Sequence, residues 1–104
     1  MPEDPQLTLV TMQFDAADGA QLQAVLSKYA VLTRGHPGCR NVDFCRSALA
    51  PDRFVIIEKW ATPADQRAHF DSADMVAMAE ACQGLLTRAP QIDLLDAISA
   101  HDLH

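Results

Sequence analysis

Positive charge is scarce in this chain. Lysine and arginine total 8 against 14 aspartates and glutamates, giving a formal net charge of −6 and a pI of about 4.9. Nucleic acid and anionic membrane surfaces both select a basic footprint, so neither is an expected partner. Long apolar runs are missing too: none approaches the roughly 18 residues that cross a bilayer. The opening Met1-Pro2-Glu3-Asp4-Pro5 is acidic and proline-rich, the opposite of a secretory leader, and the cytoplasm is the expected compartment. Cysteine occurs only at 39, 45 and 82, an odd count without Cys-x-x-Cys spacing. Cys39 and Cys45 fall on one predicted strand about 20 Å apart, too far to bond each other. Neither a disulfide framework nor a structural zinc site is expected, and the three thiols read as small buried hydrophobes. A glycine-rich phosphate cradle, a His-x-x-x-His pair and a carboxylate cluster of metal spacing are all lacking, so no metal and no cofactor is expected.

What is present is the composition of one globular domain. Its 104 residues match one domain, with a core over about 7–98, and 49% apolar residues are enough to build that core. Leu7 to Phe14 is a β-type run. Asp15 to Gly19 is turn chemistry, after which Leu22, Val25, Leu26, Tyr29 and Leu32 or Thr33 recur at helical period until Gly35 and Pro37-Gly38 stop the helix. Cys39 to Ser47 alternates weakly, with Val42 and Phe44 on one face. Leu49 to Asp52 then connects to Arg53–Trp60, the strongest strand, apolar on both faces. Thr62 as N-cap, Pro63 at the first helical position and Asp65 two further on start a short helix to Phe70. Ser72 caps another, with Met75, Met78, Ala79, Cys82, Leu85 and Leu86 in phase up to Pro90. Gln91 to Ser99 reads as a last strand carrying Ile92, Leu94 and Ile98 on one face.

The order β-α-β-β-α-β predicts an α+β, ferredoxin-like fold: a four-stranded antiparallel sheet with the helices on one face. The other face is left to cover, and the doubly apolar third strand predicts a homodimer joined sheet to sheet.

Gly35-His36-Pro37-Gly38-Cys39, Pro51-Asp52-Arg53-Phe54, Glu58-Lys59-Trp60 and His69-Phe70-Asp71-Ser72 follow in that order on the predicted elements. Together they resemble the antibiotic biosynthesis monooxygenase domain family over about residues 7–98. The resemblance implies a dimeric α+β barrel with a ligand cavity between sheet and helices in each subunit. It also implies one of several chemistries: cofactor-free oxygenation of aromatic polyketide intermediates or quinols, heme degradation, or isomerisation of a small signalling molecule. The heme-degrading members resemble one another in an Asn on the first strand and a Trp and a His on the second helical region. Here the first strand has no Asn, and those later positions fall at His69 and near Ala79, so heme degradation is disfavoured. Of the Trp, Tyr, Asn and Arg of the anthrone-oxidising branch, this chain offers Trp60, but Tyr29 is its only Tyr and Asn41 its only Asn.

The function expected is therefore a cofactor-independent monooxygenase using O2 on an anthrone-like polycyclic aromatic or a quinol. The alternatives are an isomerase or cyclase in the same cavity, with His69 as proton shuttle, and a non-catalytic dimeric module that holds a small hydrophobe. His69 is the candidate catalytic base, since a neutral imidazole titrating near 6.5 can take a phenolic or carbon-bound proton. Trp60, Phe54, Phe70, Met75, Met78 and Tyr29 are the candidate substrate contacts, as aromatic walls and flexible thioethers suited to flat ligands. Glu58 shares a strand face with Trp60 and needs a partner there, expected among Arg40, Arg46 and Lys59. His36 reads as an exposed turn residue.

Overall fold

The computed structural model of the protein describes residues 7–102. Seven elements follow in order: β1 (Thr8–Asp15), α1 (Gly19–Thr33), β2 (Cys39–Arg46), β3 (Arg53–Trp60), α2 (Pro63–Phe70), α3 (Ala73–Ala81) and β4 (Gln91–Asp96). The strands make one antiparallel sheet in the order β2-β3-β1-β4, the ferredoxin-like α+β arrangement. Residues 1–6 and 103–104, His104 among them, lie outside the described residues.

Register decides which side chains are buried. Pairing Phe14 with Phe54, Met12 with Ile56, Val10 with Glu58 and Thr8 with Trp60 puts all eight on one side of the two central strands. Every one of them is at most 3% exposed, because the helices lie on that face. On the other face Leu9, Thr11, Val55 and Ile57 are half-buried within this one chain. In α1 the buried stripe is Leu22, Leu26, Tyr29, Ala30 and Thr33, while Leu32 turns outward. Asp18 starts this helix by accepting from the Gln21 N–H at 3.1 Å.

The two short helices are separate because each has its own cap. Thr62 accepts from the Asp65 N–H and Pro63 opens α2. One residue past Asp71, Ser72 accepts from the Met75 N–H and opens α3. The expectation that α3 continues through Leu85 and Leu86 does not hold: it ends at Ala81, and Gly84 takes a left-handed φ of +81° that turns the chain. The Leu85 carbonyl then accepts from the Ala17 N–H at 2.8 Å, tying this turn to the end of β1. β4 is also shorter than expected, stopping at Asp96, and all six of its residues are exposed. Ile98, expected on its inner face, is 97% exposed. Beyond it Lys59 donates to the His101 carbonyl at 2.9 Å and Arg40 to the Asp102 carboxylate, so His101 is exposed but anchored. Of the cysteines only Cys82 is buried; Cys39 is half-buried and Cys45 exposed, since β2 is an edge strand.

Gly38, at φ +78°, carries the turn from α1 into β2, and a Cβ there would run into the Asp65 side chain. Gly38→Ala is expected to lose about 1–3 kcal/mol of stability, read as a lowered urea midpoint with an unchanged slope.

Candidate active site: an apolar groove and a buried hydrogen-bonded chain

Three helices cannot tile a four-stranded sheet evenly. α1 packs on β2 and α2 on β3, which leaves the β1–β4 side of the same face less covered. There a cavity of about 540 Å³ opens, floored by Met12 and Phe14 of β1 and Ile92 of β4 and roofed by Met75, Met78 and Cys82 of α3. Its walls are apolar; the polar groups lining it are Gln83, Thr87 and Arg88. A second hollow of about 420 Å³ runs on from it over Val10, Leu94 and Gln66, and Phe70 and Ile92 line both. The two form one groove with Phe70 at its waist. At the far rim Arg88 lies 3.4 Å from the Asp15 carboxylate, whose other oxygen accepts from Arg53. The Arg53 hydrogen bond is the main reason that carboxyl is held below its ordinary range, against a partial burial that raises it.

Beside the groove five side chains from five segments are joined in a line. The Glu58 carboxylate of β3 accepts from the Tyr29 hydroxyl of α1 at 2.6 Å and from the indole N–H of Trp60 at 3.0 Å. Tyr29 Oη is 2.8 Å from His69 Nε2 on α2, and His69 Nδ1 is 3.0 Å from His36 Nδ1 in the α1–β2 turn. His36 Nε2 ends the line 2.7 Å from Asp74 Oδ2 on α3. The His69 ring stacks on Trp60, centroids 4.7 Å apart at 27°, and meets His36 edge-on at 4.5 Å. Among the described residues no three His, Cys, Asp or Glu side chains converge as a metal site would require.

Burial dominates the electrostatics of this line. It pushes the Glu58 carboxyl up, against the hydrogen bonds from Tyr29 and Trp60 and the charge of His36, which pull it down. Burial, then the neighbouring Glu58 charge, raises the Tyr29 hydroxyl well above its ordinary value. Burial, then the charge of His36, brings His69 down to about 4. His69 therefore stays neutral at neutral pH, and the expectation that it titrates near 6.5 is revised.

Of the candidate residues, Phe70, Met75 and Met78 line the groove. His69, Trp60 and Tyr29 come together in the buried line instead, and His69 is absent from the groove lining, with both ring nitrogens engaged. Phe54 packs under the helices against Phe44, centroids 5.7 Å apart, away from the groove. Glu58 has none of its expected partners: among the described residues Arg40 pairs with Asp102 and Lys59 with the His101 carbonyl, while Tyr29 and Trp60 hold the carboxylate. His36 is also misread by the sequence, being bonded on both nitrogens, with a side chain 19% exposed. The available signal was Glu58 itself, a carboxylate on a buried strand face that demands donors. Gln66, 6% exposed and lining the second hollow, and Arg88 at the groove mouth carried no sequence signal.

A four-stranded antiparallel sheet with helices on one face and an apolar groove between them defines an α+β domain of ferredoxin-like type. The chain belongs to the antibiotic biosynthesis monooxygenase family, whose model matches residues 5–81. Among solved structures it is similar to Rv0793 from Mycobacterium tuberculosis, with 23% identity, a TM-score of 0.84 and coverage of 90% of this chain and 97% of that one. It is similar also to PA3566 from Pseudomonas aeruginosa, at 21% identity and TM-score 0.80 over 95% and 100% of the two chains. SnoaB, a cofactor-independent oxygenase from Streptomyces nogalater, matches at 18% identity and TM-score 0.80 over 91% and 96%. No curated protein matches the sequence. No helix among the described residues is long and apolar enough to cross a membrane.

The lowered His69 value has a sign that can be measured. Below its unfolded value of 6.5 the unfolded chain binds the proton and the folded chain refuses it until about 4, so His69 destabilises the fold as pH falls through that window. Glu58, raised by burial, acts in the opposite sense, losing stability as pH rises through its folded value. Comparison with a variant isolates the first effect. The stability advantage of the wild type over His69→Asn should shrink by about 3 kcal/mol between pH 7 and pH 4 in urea titrations.

Proposed function

We propose that this protein is a cofactor-independent monooxygenase that oxidises a flat, electron-rich aromatic, anthrone-like or a quinol, with O2. The observation that supports it is the main cavity of the groove, about 540 Å³ with mostly apolar walls, whose polar lining groups are Gln83, Thr87 and Arg88. An anthrone-type substrate needs no outside reductant. Ionisation gives a carbanion that passes an electron to O2; recombination forms a hydroperoxide, and loss of water leaves the carbonyl. The sum, CH2 plus O2 to C=O plus H2O, balances with all electrons drawn from the substrate carbon. Arg88, which lines the cavity and pairs with Asp15, sets a positive charge toward the substrate oxygen as it becomes negative. His69 serves this chemistry through the buried line, not as a base in contact with the ring.

One observation favours a non-catalytic binding module instead: no imidazole or carboxylate lines the main cavity among the described residues. Oxygen uptake with an anthrone separates the readings. Uptake matched to carbonyl product supports the monooxygenase; product without uptake marks an isomerase or cyclase; stoichiometric binding with neither marks the binding module. Ala79→Trp, which fills the groove from its rim, should lower kcat/KM at least about tenfold without lowering the melting temperature. Activity unchanged in that variant would remove the groove as the site.

The same reading includes a homodimer through the open sheet face, supported by the half-buried Leu9, Val55 and Ile57 and by Leu95, 45% exposed. Sedimentation at micromolar concentration is expected to give about twice the 11.4 kDa chain mass, and Ile57→Asp to give the monomer.

A further inference from the structure

The line from Glu58 to Asp74 admits two arrangements of its protons, and they carry the same charge. In the first, Glu58 is ionised and accepts from the Tyr29 hydroxyl, so Tyr29 must accept from His69 Nε2–H. His69 Nδ1 is then bare and accepts from His36 Nδ1–H. His36 Nε2 faces a carboxylate and carries a proton as well, which makes His36 an imidazolium. In the second, Glu58 Oε2–H donates to Tyr29, Tyr29 donates to His69 Nε2, and His69 Nδ1–H donates to His36 Nδ1. His36, now neutral, still donates from Nε2 to Asp74. Trp60 donates to Glu58 Oε1 in both. Three protons each cross one hydrogen bond, no heavy atom changes partner, and the total number of protons is unchanged.

We infer that this line is a proton wire, with Glu58 as its buried terminus and His36–Asp74 as its outlet to water. The exposure is graded as a wire requires: Glu58, Tyr29 and His69 are 2–3% exposed, whereas the side chains of His36 and Asp74 are 19% and 37% exposed. No cation pairs directly with Glu58 among the described residues: Arg34, the C-cap of α1, donates to the Val42 carbonyl. On β2 the Cys39 thiol faces the carboxylate and is held neutral, by burial first and by the Glu58 charge second. Lys28 borders the surface hollow that Asp74 and Tyr29 also line. The imidazolium of His36 is thus the counter-charge that Glu58 works against, two side chains away. Taking the shared proton away leaves two acceptors facing each other somewhere along the line, so the unit retains it. Adding a second would set two N–H groups head to head between the histidines, so the unit refuses it.

The inner end is one strand from the groove. Val10, the cross-strand neighbour of Glu58, lines the second hollow together with Gln66, whose amide has no hydrogen-bond partner among the described residues. In the oxidation proposed above, the wire takes the substrate proton at Glu58 only as His36 passes one to water, so its proton count is kept, and the reverse exchange returns a proton when water is lost. That use rests on the monooxygenase reading; the wire does not.

Nitrogen-15 NMR of the imidazoles tests the wire without any substrate. With Tyr29 and Trp60 both donating to Glu58 and Asp74 beside His36, the charge-separated arrangement is the resting one, so His69 should show the Nε2–H form. In Glu58→Gln the amide oxygen takes the Trp60 N–H and the amide nitrogen donates to Tyr29, which locks the second arrangement. His69 should then switch to Nδ1–H and His36 lose its charge. Asp74→Asn, at the half-exposed end, should drive the same switch from outside and serves if the buried variant does not fold. In Tyr29→Phe the wire is cut, and adding Glu58→Gln should leave both histidine signals where they were. A His69 tautomer indifferent to positions 58 and 74 overturns the wire. A switch that occurs while oxygen uptake by Asp74→Asn stays within twofold of wild type overturns its service to the oxidation alone; a fall of about tenfold or more in kcat supports it.

Discussion

Among the described residues no cation contacts the Glu58 carboxylate under the helices, and much of the domain is arranged around that fact. Removing an ion from water costs several kcal/mol unless hydrogen bonds and an opposite charge offset it. Here two neutral donors meet the Glu58 oxygens directly, and the line runs on through Tyr29 and His69 to His36 and Asp74. The donors are not local conveniences. Tyr29 belongs to α1, His69 to α2, Asp74 to α3 and His36 to the turn entering β2, so satisfying one carboxylate on β3 fixes the position of every helix over the sheet. Such a network is costly when partly made and rigid when complete.

The groove follows from the same placement. With α1 and α2 held toward β2 and β3 by the polar line, the main cavity on the β1–β4 side is roofed chiefly by α3, only nine residues long, with Phe70 of α2 at its edge. Its early end at Ala81 and the turn at Gly84 leave Met75, Met78 and Cys82 looking down on a floor they do not fill. Thioethers at that roof can re-pack around ligands of differing shape, which suits a family whose fold hosts several chemistries. Polar order and apolar vacancy sit side by side, one rigid and one yielding.

Sequence reasoning reached the fold because its signals are local. Caps at Thr62 and Ser72, the Pro63 start, the Pro37-Gly38 stop and the alternation of Arg53–Trp60 each act within a few residues, and the structure uses all of them. The Gly84 break was missed because a lone glycine in a helical pattern is ambiguous until its φ is known. The site was legible in part. Tyr29, Trp60 and His69 could be named, but the contacts joining them span 29 and 40 residues, and nothing in spacing reveals which donor meets which acceptor. Glu58 looked for a cation because charge pairing is the commoner answer to burial, and His36 looked exposed because it sits beside a proline-glycine turn. Tertiary placement overrode both.

The break between α2 and α3 has a consequence of its own. On an unbroken helix residues 69 and 74, five apart, would point about 140° away from each other at 100° per residue, and could not both reach His36. The cap at Ser72 resets the helical phase, so the two side chains converge. Asp71 and Ser72 alone separate the two helices, so a change of length there, or loss of the Ser72 cap, would re-aim Asp74 relative to His69. The length of this hinge and its capping serine together decide whether side chains from two helices meet on one histidine.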